Sequence, residues 1–228
     1  MSTPSAAWIE LEAPLFRDRC DAGERLARVL ADERIDDGLV VGLARGGVEV
    51  AAAVANRLGL PLDALAVRKV GHPWQPEYAL GAVTPGGGRY IRAHDDLSEE
   101  EVDAAVAAAE EKAKELDRRL HADRPPLDPS GRTVVLVDDG LATGATMIAA
   151  TRWARAAGAR RLIVAVPVGA AETAALLEGE ADKVVCLKKP AYFGAVGLWY
   201  EQFGQVSDER VLDLLEHFPS APSAAQSR

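Results

Sequence analysis

Residues 133–147 read TVVLVDDGLATGATM. After Thr133, Val134 to Val137 form a valine-rich apolar run without a polar break, the composition of a strand buried on both faces of a parallel sheet. Asp138 and Asp139 end that run. Adjacent carboxylates repel each other and add nothing to a core, so a pair of them at a strand end calls for a chemical reason. In a doubly wound sheet, ligands sit beyond the carboxyl ends of the strands, where the strand order reverses. Two acids at such a place suit the hydroxyls of a vicinal diol. The segment that follows, GLATGATM, enters a helix, so its backbone N–H groups and the hydroxyls of Thr143 and Thr146 converge on one point. Such a nest holds an anion, each contact contributing roughly 0.3–2 kcal/mol. A diol clamp beside an anion nest describes a ribose-phosphate site.

Outward from this stretch, apolar runs alternate with helical patterns. Before it come LVVGLA (39–44), a helix from about 47 to 58, LDALAVRKV (62–70) and ALGAVT (79–84). After it come a helix from about 143 to 157 that stops at Gly158, RLIVAVPV (161–168), a helix near 170–178 and KVVCL (183–187). This grammar predicts an α/β fold, a doubly wound open parallel sheet of Rossmann-like type with helices on both faces. GLARGGVEVA (42–51) makes a second strand-to-helix turn, in which Gly46 and Gly47 permit close backbone approach and Arg45 adds positive charge next to Ala44. An ordinary βα turn with a solvated arginine has the same composition.

Two segments break the rhythm. SEEEVDAAVAAAEEKAKELDRRL (98–120) carries an N-cap serine, a glutamate three residues on that completes a capping box, and acids early with bases late, all signs of a long helix. HADRPPLDPSG (121–131) is a proline-rich connector back to the sheet. The tail at 220–228 has no apolar residue larger than alanine or proline and reads as disordered.

Composition narrows the function. A chain of 228 residues with 48% apolar content supports one full-sized domain. Its net charge of −9 argues against nucleic acid as partner, since phosphate-tracking surfaces need a basic excess. No window approaches the roughly 18 apolar residues of a membrane helix, and no basic and apolar leader opens the chain, so no membrane partner and a cytoplasmic location are expected. Cys20 and Cys186 stand far apart, without metal-ligand spacing, and read as small buried hydrophobes.

VVLVDDGLATGATM resembles the phosphoribosyl pyrophosphate (PRPP) motif of the type I phosphoribosyltransferases. The order FRDRCDAGERLA, GLARGGVEVA, VRKVGHPWQPEYALGAV, VVLVDDGLATGAT and FGAVGLWYEQFGQVSDE is similar to a bacterial group of that family without an assigned acceptor. The resemblance implies that Asp138 and Asp139 hold the ribose hydroxyls, while Ala142, Thr143, Gly144, Ala145 and Thr146 wrap the 5-phosphate. It makes Ala44, Arg45, Gly46 and Gly47 the pyrophosphate loop, a place where the family often has a non-proline cis peptide. It gives Arg68 and Lys69, at the end of the second strand, a catalytic part in drawing off pyrophosphate. GHPWQPEY (71–78) becomes a mobile lid, with His72 and Glu77 available for proton transfer and Tyr78 beside them. A small hood at 188–218 brings Phe193, Trp199, Tyr200 and Phe203, either to stack on a base or to pack a core. The expected organisation is a domain over 1–219 with a helical insertion at 89–131. The family's chemistry implies Mg²⁺, held mainly by PRPP oxygens with Asp138 and Asp139 in reach, and pyrophosphate as product. The acceptor is a small nitrogen nucleophile, and a homodimer is compatible with all of this. Hypoxanthine-guanine enzymes place an aspartate where this chain has Ala142, and no general base is visible. A non-catalytic PRPP-binding regulator and an enzyme with a non-nucleobase acceptor are the alternatives.

Overall fold

The computed structural model describes residues 14–75, 78–93 and 96–219. The chain runs through α1 (Arg19–Leu30), β1 (Gly38–Ala44), α2 (Gly46–Leu58) and β2 (Leu62–Ala66). Then come β3 (Arg68–Gly71), β4 (Ala79–Val83), β5 (Arg89–Ile91) and α3 (Glu99–Leu120). The second half alternates β6 (Thr133–Val137), α4 (Ala145–Ala156), β7 (Arg161–Val168), α5 (Ala171–Leu177) and β8 (Lys183–Lys188). A 3-10 turn (Val196–Trp199) and α6 (Asp208–Glu216) complete it. Among the described residues no helix is long and apolar enough to cross a membrane.

Five parallel strands lie in the order β2–β1–β6–β7–β8, the doubly wound open sheet that the alternation predicts. Strand order reverses between β1 and β6, which places the switch point between the two strand-to-helix turns read from the sequence. The continuous apolar runs follow from burial on both faces. On β6, Val135 and Val137 join Leu26, Val48 and Val54 on one side, while Val134 and Leu136 join Met147, Ile148 and Trp153 on the other. Each such side chain contributes about 1.5–3 kcal/mol by leaving water.

The stretch 62–84 departs from expectation. LDALAVRKV is two strands rather than one: β2 stays in the parallel sheet, the chain turns at Val67, and β3 pairs antiparallel with β4 in a separate sheet ordered β3–β4–β5. The connection between β3 and β4 is too short for the crossover of a dozen or more residues that a parallel pair requires. The two strands therefore pair antiparallel, and neither is hydrogen-bonded into the main sheet.

Helix α3 joins the two sheets. Its capping box is present, with Ser98 and Glu101 bonded reciprocally. Val102, Val106 and Ala109 pack on Val70, Leu80 and Val83 of the small sheet, while Leu116 and Leu120 enter the main core. At its C-terminal end His121 Nε2 lies 3.0 Å from Asp63 Oδ1 of β2, and Nδ1 lies 3.1 Å from Asp117. Burial opposes a charge on His121, but its hydrogen bonds to Asp117 and Asp63 overcome that and push its pKa up to about 10. Segment 188–218 packs against α1 and the end of β7 through Phe16, Ala22, Val168, Trp199 and Tyr200. Cys186 is half-buried but Cys20 is exposed, because the buried stripe of α1 runs through positions 19, 22, 23 and 26. The predicted tail at 220–228 lies outside the described residues.

Candidate active site

Beyond the carboxyl end of β6, between the two sheets, lies a cleft of 530 Å³. Asp138, Asp139 and the loop 140–146 form one wall, and Lys69, Tyr78, Ala79 and Arg92 form the other. Val196 closes it from the C-terminal segment. The sequence-predicted acids and phosphate loop thus share one cavity.

The acids differ in their surroundings. Asp138 Oδ1 accepts the backbone N–H of Asp139 at 2.9 Å. Burial and the charge of Asp139 hold the Asp138 pKa well above the usual carboxylate range, with Lys69 and Arg19 pulling the other way. Burial raises Asp139 too, but the guanidinium of Arg19 counters it. Arg19 Nε donates to Asp139 Oδ2 at 2.9 Å and an Arg19 Nη to the carbonyl of Gly204 at 2.8 Å. The ring of Phe203 lies 4.0 Å from that guanidinium, and the hydroxyl of Tyr200 donates to the carbonyl of Asp139.

The loop after the acids is braced from below. Leu141 N–H donates to Val168 O, Ala170 N–H to Leu141 O, and Thr173 Oγ1 to Ala142 O at 2.7 Å. Gly144 then takes a left-handed conformation (φ 75°) as N-cap of α4, so the helix starts at Ala145 rather than 143. It offers no side chain to the first turn. Nor does Arg45, the N-cap of α2. Side chains of Asp18, Ser98 and Ser207 do cap α1, α3 and α6. The two helices that begin at the switch point, α2 and α4, thus leave their first amides without a side-chain cap, as α5 also does.

The turn after β1 meets the acids directly. A Cβ atom on Gly47 would lie 2.6 Å from the carbonyl oxygen of Val137 and 2.9 Å from Cα of Asp138, so only glycine fits. The peptide Ala44–Arg45 is cis, as the resemblance implies.

The Phosphoribosyl transferase domain family matches residues 18–202, which include every element of this cleft. The chain belongs to that family. A Mycobacterium tuberculosis H37Rv protein that carries the name "Putative phosphoribosyl transferase" is 47% identical over 209 residues, covering 89% of this chain and 46% of its own. The chain thus spans about half the length of that relative. Adenine phosphoribosyltransferase of Mycobacterium marinum is 35% identical over 155 residues, 68% of this chain and 67% of that protein. Among solved structures, TT1426 from Thermus thermophilus superposes with a TM-score of 0.75 at 42% identity, covering 89% of this chain and 98% of that one.

Within this phosphoribosyl transferase domain, several expected residues sit elsewhere. Lys69 lines the cleft, whereas Arg68, one position earlier on β3, falls on the opposite face and is not among the lining residues. Neither residue ends the second strand; both belong to β3. Arg45 is half-exposed and reaches toward Asp208 at 3.7 Å. His72 is buried and turned away from the acids: its Nε2 lies 2.9 Å from Asp96, and Nδ1 accepts the N–H of Trp74. It lines a groove against α3 and is not among the residues that line the cleft. Glu77 lies outside the described residues. Trp199 and Tyr200 are 5% and 4% exposed, which leaves neither ring free to stack on a base. Tyr200 serves by fixing the backbone of Asp139.

Sequence reasoning passed over two arginines. Arg92 reaches the cleft from the end of β5, donates to the carbonyl of Ala79 and lies over the ring of Tyr78 at 5.1 Å. Nothing in its local sequence marks it. Arg19 does leave a trace, since it heads the helical stripe formed by Ala22, Leu26 and Leu30, where a charge has no place unless it is paired.

Proposed function

We propose that the protein transfers ribose 5-phosphate from PRPP to a nitrogen nucleophile of nucleobase-like kind, releasing pyrophosphate, with Mg²⁺ as cofactor. The observation that carries this reading is the meeting, in one cleft, of the Asp138–Asp139 pair and the side-chain-free start of α4, with the glycine turn before α2, itself not a lining of that cleft, packed against the acids. The 5-phosphate fits the amides and hydroxyls of 143–146, the ribose diol fits the acids, and the pyrophosphate fits the start of α2. Displacement at C1 builds positive charge on the sugar and negative charge on the leaving group. Asp138 and Asp139 favour the first, and Lys69 favours the second.

The donor set suits a magnesium ion that arrives on its substrate. Among the described residues no group of three His, Cys, Asp or Glu side chains is placed to hold a metal. Mg²⁺ keeps several waters and accepts substrate phosphates with one or two carboxylates, which Asp138 and Asp139 provide. Bound there, it neutralises pyrophosphate.

Isothermal titration with PRPP and Mg²⁺ tests the binding, and pyrophosphate release across a panel of nucleobases and amines tests the transfer. A folded protein that gives no heat with PRPP overturns the reading. A second reading, a PRPP-binding regulator, is favoured by Ala142 in the phosphate loop together with the turned-away His72. PRPP binding without pyrophosphate release, whatever the acceptor, selects it.

A further inference from the structure

We infer that Arg19 is a positioning residue for the ribose clamp, holding the carboxylate of Asp139 from behind while the C-terminal segment holds Arg19. The inference rests on the PRPP reading of the cleft and adds a residue to it. Asp139 lines the cleft, whereas Arg19 lines a separate hollow of 330 Å³ on the far side, together with Glu49, Gly204 and Ser207. The bond between Arg19 and Asp139 links the two. Its Oδ2 takes the Nε–H of Arg19 at 2.9 Å and lies so close to Gly46 that a Cβ there would stand at 2.2 Å. Oδ1 is left to accept a ribose hydroxyl, in a direction set by the bond behind it.

The guanidinium is itself fixed. Its side chain is 8% exposed, one Nη donates to the carbonyl of Gly204, and Phe203 covers one face at 4.0 Å. Glu49, at 3.7 Å, is the only other carboxylate the described residues bring to it. A purely structural arginine on α1 needs only Glu49 on the neighbouring helix. Arg19 instead directs Nε at a group of the cleft, which is how a rigid outer residue pre-organises an inner one.

The test is a double-mutant cycle on PRPP affinity, measured by titration calorimetry with Mg²⁺ on the full chain. Arg19→Met and Asp139→Asn are each expected to weaken binding about tenfold, and the double variant to bind no more weakly than Asp139→Asn alone. Arg19→Lys, which keeps the charge but not the planar fork, recovers only part of the loss. If Arg19→Met does not fold, the same cycle is run with Arg19→Lys. Additive losses, or a folded Arg19→Met that binds like wild type, overturn the inference while wild-type binding leaves the proposed function standing. Wild-type protein that binds no PRPP overturns both.

Discussion

A Cβ atom on Gly46 would lie 2.2 Å from Oδ2 of Asp139. The turn after β1 and the acids after β6 are therefore in contact before any ligand arrives, and the contact tolerates no added atom. Gly46→Ala must push the carboxylate off Arg19 and into the cleft. PRPP affinity is expected to fall at least about tenfold, alongside a stability loss of about 3 kcal/mol from the broken Arg19–Asp139 pair. Calorimetry and thermal melting on the same sample separate the two effects; equal affinity in both proteins refutes the contact's role.

Asp138→Asn is expected to trade the other way. The folded pKa of Asp138 is raised above its ordinary value of 3.8, so its ionisation works against the fold at neutral pH. Its contribution to stability is fully present below that value and is lost as pH rises through the folded pKa. The variant should melt above wild type at pH 7, the two curves converging in acid, while PRPP binding weakens about tenfold through the lost charge-assisted hydrogen bond. A variant that melts lower at pH 7 contradicts the assignment.

His121 predicts an alkaline weakness. With a pKa raised from 6.5 to about 10, the protonated imidazole stabilises the fold fully below pH 6.5, and that share disappears as pH rises through about 10. His121→Gln leaves Asp63 buried without its cation and should cost about 3 kcal/mol at pH 7. Denaturant titrations between pH 6 and 10.5 should show the gap between the two proteins closing. A constant gap means that the imidazole is neutral throughout.

Trp74 is 73% exposed in the turn joining β3 and β4, whereas Trp153 and Trp199 are 7% and 5% exposed. If 71–78 closes over bound PRPP, the emission of Trp74 should shift to the blue by several nanometres, and Trp74→Phe should abolish the change. Closure strengthens the charge contacts of Lys69 by excluding water. A shift that survives in Trp74→Phe assigns the movement to another part of the chain.

Much of this was legible in order of burial. The β6 stretch declares itself because its apolar residues, its acids and its glycines each have a separate cause, and Asp138, Asp139 and 142–146 do meet in the cleft. LDALAVRKV misleads because β propensity is continuous through Val67, and only the short link to β4 reveals that the chain has changed sheets. Trp199 and Tyr200 mislead equally, since aromatic density is the same for a core as for a stacking surface. Arg92 could not be found at all: its place depends on a hairpin register that no local pattern encodes.

The strand order also governs how the molecule is made. Gly38 pairs with Thr133 at the centre of the main sheet, so the whole of 45–132 must be synthesised and looped out before that ladder can close. Until then Leu39 to Leu43 present an unpaired apolar edge, which is the kind of surface on which nascent chains associate. Refolding should accordingly be slow and concentration-sensitive. Pulse-labelled hydrogen exchange should protect the amides of α1 and α2 before those shared by β1 and β6, and the acids that face the cleft come to their places only with that last step.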